Sequence, residues 1–197
     1  MDKNKLLEQR RHIDQSRCHV TLSANEADQI RQSIVQSWRR SDGAKIPLGR
    51  KQAPLNPVSS EQSFYLKKAL AYCQDQLQHI TLQSSMVMAV ADIGSTIIWT
   101  TTSKRMQKAA EDVNFVAGGY WGETQVGTNA LALSLKTQQS TCVFSNEHYM
   151  ASVHDWVCYA TPIIEPDTKQ VVGVLDLSTT WQNHNQFGVF ARSEERR

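Results

Sequence analysis

Between Tyr120 and Leu135 the sequence reads YWGETQVGTNALALSL, placing two aromatics, a carboxylate and a Gly-Thr-Asn corner directly before an apolar helical run. A helix start leaves backbone N–H groups without intrahelical partners, and these can hold a carbonyl, hydroxyl or anionic group. Thr128 stands where an N-cap belongs for a helix from Asn129 to about Lys136, with Leu131 and Leu135 one turn apart on its inner face. Tyr120 and Trp121 can wall an apolar cavity, and Glu123 can accept a hydrogen bond beside it. A plainer account competes on the same spacing: Thr128 caps, Trp121 packs and Glu123 is solvated.

A second group of reactive side chains follows in NEHYMASVHDWVCYATPI. Glu147, His148, His154, Asp155 and Cys158 look superficially like a metal set, but their spacing fits neither a zinc knuckle nor a His-Glu-x-x-His helix, and no metal is expected. A hydrogen-bonded lid over a pocket is the better reading. Cys158 follows Trp156 by two residues, so on a strand both share one face. If that face is the pocket side, Cys158 can act as a redox or nucleophilic thiol, its pKa lowered by His154; a buried cysteine serving as a small apolar residue is the commoner case. No P-loop, dinucleotide fingerprint or Ser/His/Asp nucleophile elbow occurs, so neither catalysis nor a cofactor is expected. The basic stretch SWRRSDGAKIPLGRK lacks a helix-turn-helix partner or interleaved aromatics and reads as solvated surface.

The elements that must position these residues follow from pattern. The chain has 197 residues, 40% hydrophobic and 20% charged, with a net charge of +2. That suits one globular domain with an appended element and argues against a strongly basic nucleic-acid binder. A domain of this size can enclose a ligand-sized interior. Cys18, Cys73, Cys142 and Cys158 form no CxxC pair, and the charged N-terminus lacks the apolar core of a signal peptide. No apolar run reaches the length of about 18 residues that a membrane span needs. Reduced thiols and a cytoplasmic location are therefore expected.

A helix is predicted over Ala24–Arg40, with Ile30, Ile34 and Trp38 in one stripe, followed by an irregular linker carrying Pro47, Pro54 and Pro57. A second helix is predicted from about Ser60 to Thr81, its apolar face formed by Phe64, Leu66, Leu70, Cys73, Leu77 and Ile80. SSMVMAVADIGSTIIWTTT reads as a hairpin, Lys104–Asp112 as a polar helix, and STCVF as a short strand. WVCYATPII and KQVVGVLDLSTT are strands joined at Pro166-Asp167-Thr168, and NHNQFGVFARSEERR is predicted as a short closing helix. Hairpin-connected strands with helices before, between and after them define an α+β domain built on an antiparallel sheet.

In this order, SIVQSWRRS, MAVADIGSTII, FVAGGYWGETQVGTNALALSL, NEHYMASVHDWVCYATPI and VVGVLDLS resemble the GAF sensor domains of acetoin-catabolism-regulator-type bacterial transcriptional activators, which are sigma-54-dependent. The resemblance runs from about Ile30 to Thr180, and the combined string W-x-E-x-x-x-GTNA, EH, W-x-C-x-x-x-PI and GVLDLS is its most specific part. It implies a GAF fold: an antiparallel sheet of about six strands with the N- and C-terminal helices on one face and a roofed ligand pocket on the other. Residues 1–57 would form a helical segment and Pro-rich linker, and 58–197 the sensor domain.

Carried to matching positions, the resemblance offers Phe115, Trp121, Glu123, Thr128, Asn129, Glu147, His148, Trp156 and Cys158 as ligand-binding residues. It implies regulation rather than catalysis, with a small organic effector such as a short ketone, diol, alcohol or aldehyde. It further implies a homodimer through the terminal helices, no membrane association, and action on DNA and RNA polymerase only through ATPase and DNA-binding domains absent from this chain. Two alternatives share the fold: a redox, haem or metal sensor, and a cysteine-dependent methionine sulfoxide reductase-like enzyme using Cys142 and Cys158.

Overall fold

Five runs of apolar and β-branched residues pair into a single antiparallel sheet: β1 (Met86–Asp92), β2 (Ile97–Thr102), β3 (Thr141–Phe144), β4 (Trp156–Ile164) and β5 (Val171–Thr180). The computed structural model describes residues 24–47, 49–58 and 64–186. Its helices are α1 (Ala24–Gly43), α2 (Phe64–Leu82), α3 (Lys104–Asp112), α4 (Glu123–Val126) and α5 (Ala130–Thr137). Short 3-10 turns cover Ser145–Glu147, Ala151–Val153 and Trp181–Gln186. Among the described residues the sheet has five strands, not six, and no helix is long and apolar enough to cross a membrane.

The strand order is β2-β1-β5-β4-β3, so the last strand lies in the middle beside the first. Every residue of β1 is buried, because both faces of the sheet are covered. Alternation sorts the side chains: Val87, Ala89 and Ala91 face one core with Trp156, Cys158 and Ala160, while Val90 faces a second core under α2. The β1–β2 turn is held by Asp92, whose Oδ1 accepts from the Thr96 amide at 2.9 Å.

Helix α2 covers the second face through Leu66 and Leu70, with Cys73 and Leu77 packed behind them. The predicted face was too broad: Phe64 and Ile80 lie off this stripe and are 58% and 51% exposed, beside the exposed rings of Tyr65 and Tyr72. The predicted start at Ser60 lies outside the described residues, as do Cys18 and all of the closing segment after Gln186; residues up to Gln186 form the 3-10 turn.

The first helix takes the opposite side. Ile34 and Trp38 of α1 belong to the same core as Phe115, Trp121 and Leu131; the side chain of Ile30 lies outside the described residues. The Pro-rich linker is a strap rather than a loose tether. Ala53 donates its amide to Val113 O at 3.1 Å, Asn56 to Gly118 O at 2.7 Å, and Pro54 O accepts from Tyr120 N at 2.8 Å. Ile46 and Ala53 join the core, so side chains on both sides of residue 57 share one interior.

Candidate functional site

The roof over the first face is built at the Gly-Thr-Asn corner. Gly127 adopts φ of 78°, and a side chain there would run into the Tyr149 ring, so only glycine permits the turn from α4 to α5. Asn129, not Thr128, caps α5: its Oδ1 accepts from Ala132 N at 2.9 Å. Its Nδ2 donates to Trp121 O at 2.9 Å and Gly127 O at 2.8 Å. The amide supplies two N–H donors beside its acceptor oxygen, where a threonine hydroxyl has one donor. Thr128 instead turns outward, where Ser37 Oγ lies 2.8 Å from its hydroxyl oxygen.

Beneath this corner Phe115 stands edge-on to Trp121 and to Trp156, with ring centroids 4.9 Å and 5.7 Å apart. The Trp121 indole donates to Asn114 O at 3.0 Å, leaving its ring as an apolar wall. These rings, with Asn129, Ala130, Leu131, His148, Val153, Cys158 and Asp176, line a cavity of about 10 Å³, room for roughly one water.

Its polar groups are set by burial and geometry. Ser145 O lies 2.9 Å from His148 Nδ1, so that nitrogen carries the proton; Nε2 is then the acceptor, 3.2 Å from Cys158 Sγ. Burial holds the His148 pKa down to about 4 against the opposing Ser145 bond, with His154 adding to the depression. Burial also pushes the Cys158 thiol well above its ordinary range, and the nearby Asp176 adds to the rise. The alternative in which His154 activates Cys158 is not supported by the geometry: His154 donates to His148 O at 3.1 Å, and burial disfavours the thiolate. Asp176 is pushed up to about 7 by burial, although Ser178 Oγ donates to its Oδ1 at 2.5 Å.

Six residues singled out from sequence meet at the cavity: Phe115, Trp121, Asn129, His148, Trp156 and Cys158. Glu147 does not line it; its carboxylate accepts from Phe144 N at 2.9 Å and caps a 3-10 turn. Glu123 lies outside it too, paired through both carboxylate oxygens with Arg40 at 2.7 Å and bonded to Ser37 Oγ. Tyr120 is half-buried and does not line the cavity. Among the described residues no three His, Cys, Asp or Glu side chains are placed to hold a metal ion. Asp176 was missed as a site residue; the signal was a lone ionisable residue inside the apolar run VVGVLDLS.

The outer surface of the roof is clasped by α1. Besides the Glu123 and Thr128 contacts, Trp38 donates its indole N–H to Glu147 O at 2.7 Å, and Tyr149 OH donates to Asp42 at 3.0 Å. Helix α4, the Gly-Thr-Asn corner and the Glu147–Tyr149 segment thus each have a bond to one helix.

The antiparallel sheet with helix α2 on one face and a roofed cavity on the other is a GAF-like α+β fold. A chain of the crystal structure of the E. coli DhaR(N)–DhaL complex shares it, with a TM-score of 0.65 over 77% of this chain and 53% of that one, at 18% identity. The family model of the MimR N-terminal domain matches residues 10–195, and the chain belongs to that family. It is 31% identical over 156 residues to the acetoin dehydrogenase operon transcriptional activator AcoR of Bacillus subtilis, covering 76% of this chain and 26% of the relative. It is 23% identical over 159 residues to the propane 2-monooxygenase operon transcriptional activator MimR of Mycolicibacterium smegmatis, covering 81% and 27%. An uncharacterized 47.3 kDa protein of Rhodococcus erythropolis is 32% identical over 157 residues, covering 76% and 35%. The chain spans between about a quarter and a third of the length of these curated relatives.

Proposed function

We propose that this chain is the effector-sensing unit of a bacterial transcriptional activator, and that its effector is a small organic molecule bound in the aromatic-walled cavity. The observation that carries this is the cavity itself: three edge-packed rings above a buried polar floor, roofed by segments that α1 clasps. Apolar walls supply affinity and a few polar groups fix orientation, the usual division of labour in small-ligand sites. By their names, two relatives activate operons for acetoin dehydrogenase and propane 2-monooxygenase, which supports a short ketone, diol, alcohol or aldehyde.

With room for roughly one water, the cavity must widen to admit such a molecule, and the roof is the part that can give. Binding then favours a raised roof over a closed one, and only that difference in affinity can carry a signal. Helix α1 is the route out, because Glu123, Thr128, Glu147 and Tyr149 all bond to it. Contact with DNA and RNA polymerase belongs to other parts of such an activator, and a homodimer through the terminal helices suits the same scheme.

A cysteine-based enzyme or thiol sensor is the weaker reading. Val143 is the register partner of Cys158, so the neighbouring Cys142 points to the other face of the sheet and the two thiols are not poised to pair.

The test is a thermal-shift panel of two- to six-carbon ketones, diols, alcohols, aldehydes and carboxylates. A ligand at 100 times its dissociation constant stabilises by about 2.7 kcal/mol. For a chain of this size that raises Tm by roughly 5–11 °C. A flat panel with folded protein sinks the effector reading.

A further inference from the structure

The floor of the cavity contains a group the packing does not explain. Asp176 lies on the middle strand β5 directly between Ala89 of β1 and Ala160 of β4, and residues opposite one another share a face. Two methyl groups flank its carboxyl, so the space above it stays open where larger side chains would have closed it. Asp176 is 1% exposed, and among the described residues its side chain has one hydrogen bond, from Ser178. A carboxylate offers about four acceptor positions, and a buried polar group left short of partners is costly. An apolar residue would suit the centre of this strand better.

The other polar groups on the cavity are already engaged with each other. His148 spends one nitrogen on Ser145 O and the other on the Cys158 thiol, and the Asn129 amide is used in the cap. Among the described residues lining the cavity, Asp176 retains the most bonding capacity towards the interior.

Resting on the effector reading above, we infer that Asp176 is the anchor of the cavity, receiving the hydroxyl of a small neutral alcohol, diol or hydroxyketone whose carbon chain lies against Phe115, Trp121 and Trp156. A hydroxyl both donates and accepts, so it satisfies the carboxyl whether or not that group holds its proton; a simple ketone can only accept. Carboxylate ligands are disfavoured, because among the described residues no lysine or arginine lines the cavity and His148 stays neutral there.

The experiment measures affinities of the whole chain for butan-2-ol, butane-2,3-diol, butan-2-one, 2-chlorobutane and butyrate by titration calorimetry, in the wild type and in Asp176→Val. Valine suits a central strand, and Asp176→Ala, which adds no bulk, replaces that variant if it does not fold. The wild type should favour the alcohols over 2-chlorobutane by about tenfold and ignore butyrate; the variant should lose that preference while still binding 2-chlorobutane. A wild type that binds 2-chlorobutane and the alcohols alike overturns the anchor but leaves the cavity as an effector site. The anchor is equally overturned by a variant that keeps the alcohol preference, or by a wild type that favours butyrate. A wild type that binds none of the five removes both readings together.

Discussion

Asn129 and Thr128 are neighbours of similar capping strength, yet their removal should differ sharply. Asn129→Ala frees the Ala132 amide and two buried carbonyls, a loss of about 2–3 kcal/mol; Thr128→Ala loses a hydroxyl that meets Ser37 and, at 3.5 Å, Ser41, about 1 kcal/mol. Urea denaturation separates the two, and equal losses would show that the cap is not the keystone of the roof. The buried titrating pair gives a second expectation. Asp176 has a folded pKa of about 7 against an ordinary 3.8, so the stability it contributes is full below 3.8 and is lost as pH rises through 7. His148, lowered from 6.5 to about 4, does the reverse: its contribution is full above 6.5 and is lost as pH falls through 4. The two slopes oppose each other between about 4 and 6.5. Relative to wild type, Asp176→Asn should therefore gain stability as pH is raised from 4 to 7, and His148→Gln should lose it from 4 to 6.5. Denaturation series at fixed salt read both, and parallel profiles for all three proteins would contradict the assignment. The aromatic and Gly-Thr-Asn residues stood out in sequence because two large rings and a carboxylate stand directly before a capping corner and an apolar helical run. Asp176 did not, because its meaning depends on Ala89 and Ala160 from two other strands.

At the level of elements, the strands were legible because each is a short apolar run between turn formers, and α2 because Leu66, Leu70, Cys73 and Leu77 keep a helical period. Phe64 and Ile80 misled because hydrophobicity alone does not say which side of a helix meets the sheet. The strap was unreadable for a different reason. Its order comes from backbone bonds to Val113, Gly118 and Tyr120, and backbone bonds leave no side-chain pattern. The placement of α1 likewise depends on polar pairs far apart in the chain. Arg40 and Glu123 form a bidentate pair with side chains 34% and 15% exposed, partly screened by solvent. A double-mutant cycle between Arg40→Ala and Glu123→Ala should give a coupling of about 0.5–1 kcal/mol, read by thermal or chemical denaturation. A coupling near zero would mean that α1 is held by Ile34, Trp38 and its other hydrogen bonds rather than by this pair.

For the molecule as a whole, α1, the strap and the sheet share one interior, and this bears on the expected division at residue 57. A chain beginning at residue 58 would strip Ile34, Trp38, Ile46 and Ala53 from the roof core. It should unfold at a markedly lower temperature or aggregate, as circular dichroism and light scattering would show; an unchanged Tm would make residues 58–197 a unit in their own right. The near-closed cavity has a further consequence, one of time rather than affinity. If any effector larger than a water must wait for the roof to part, association cannot run faster than that opening however much ligand is supplied. In stopped-flow traces the observed rate would climb with concentration and then level off, at the same ceiling for every ligand that fits. Such a gate sets a minimum response time, and pulses of effector briefly present at the surface would pass without being registered.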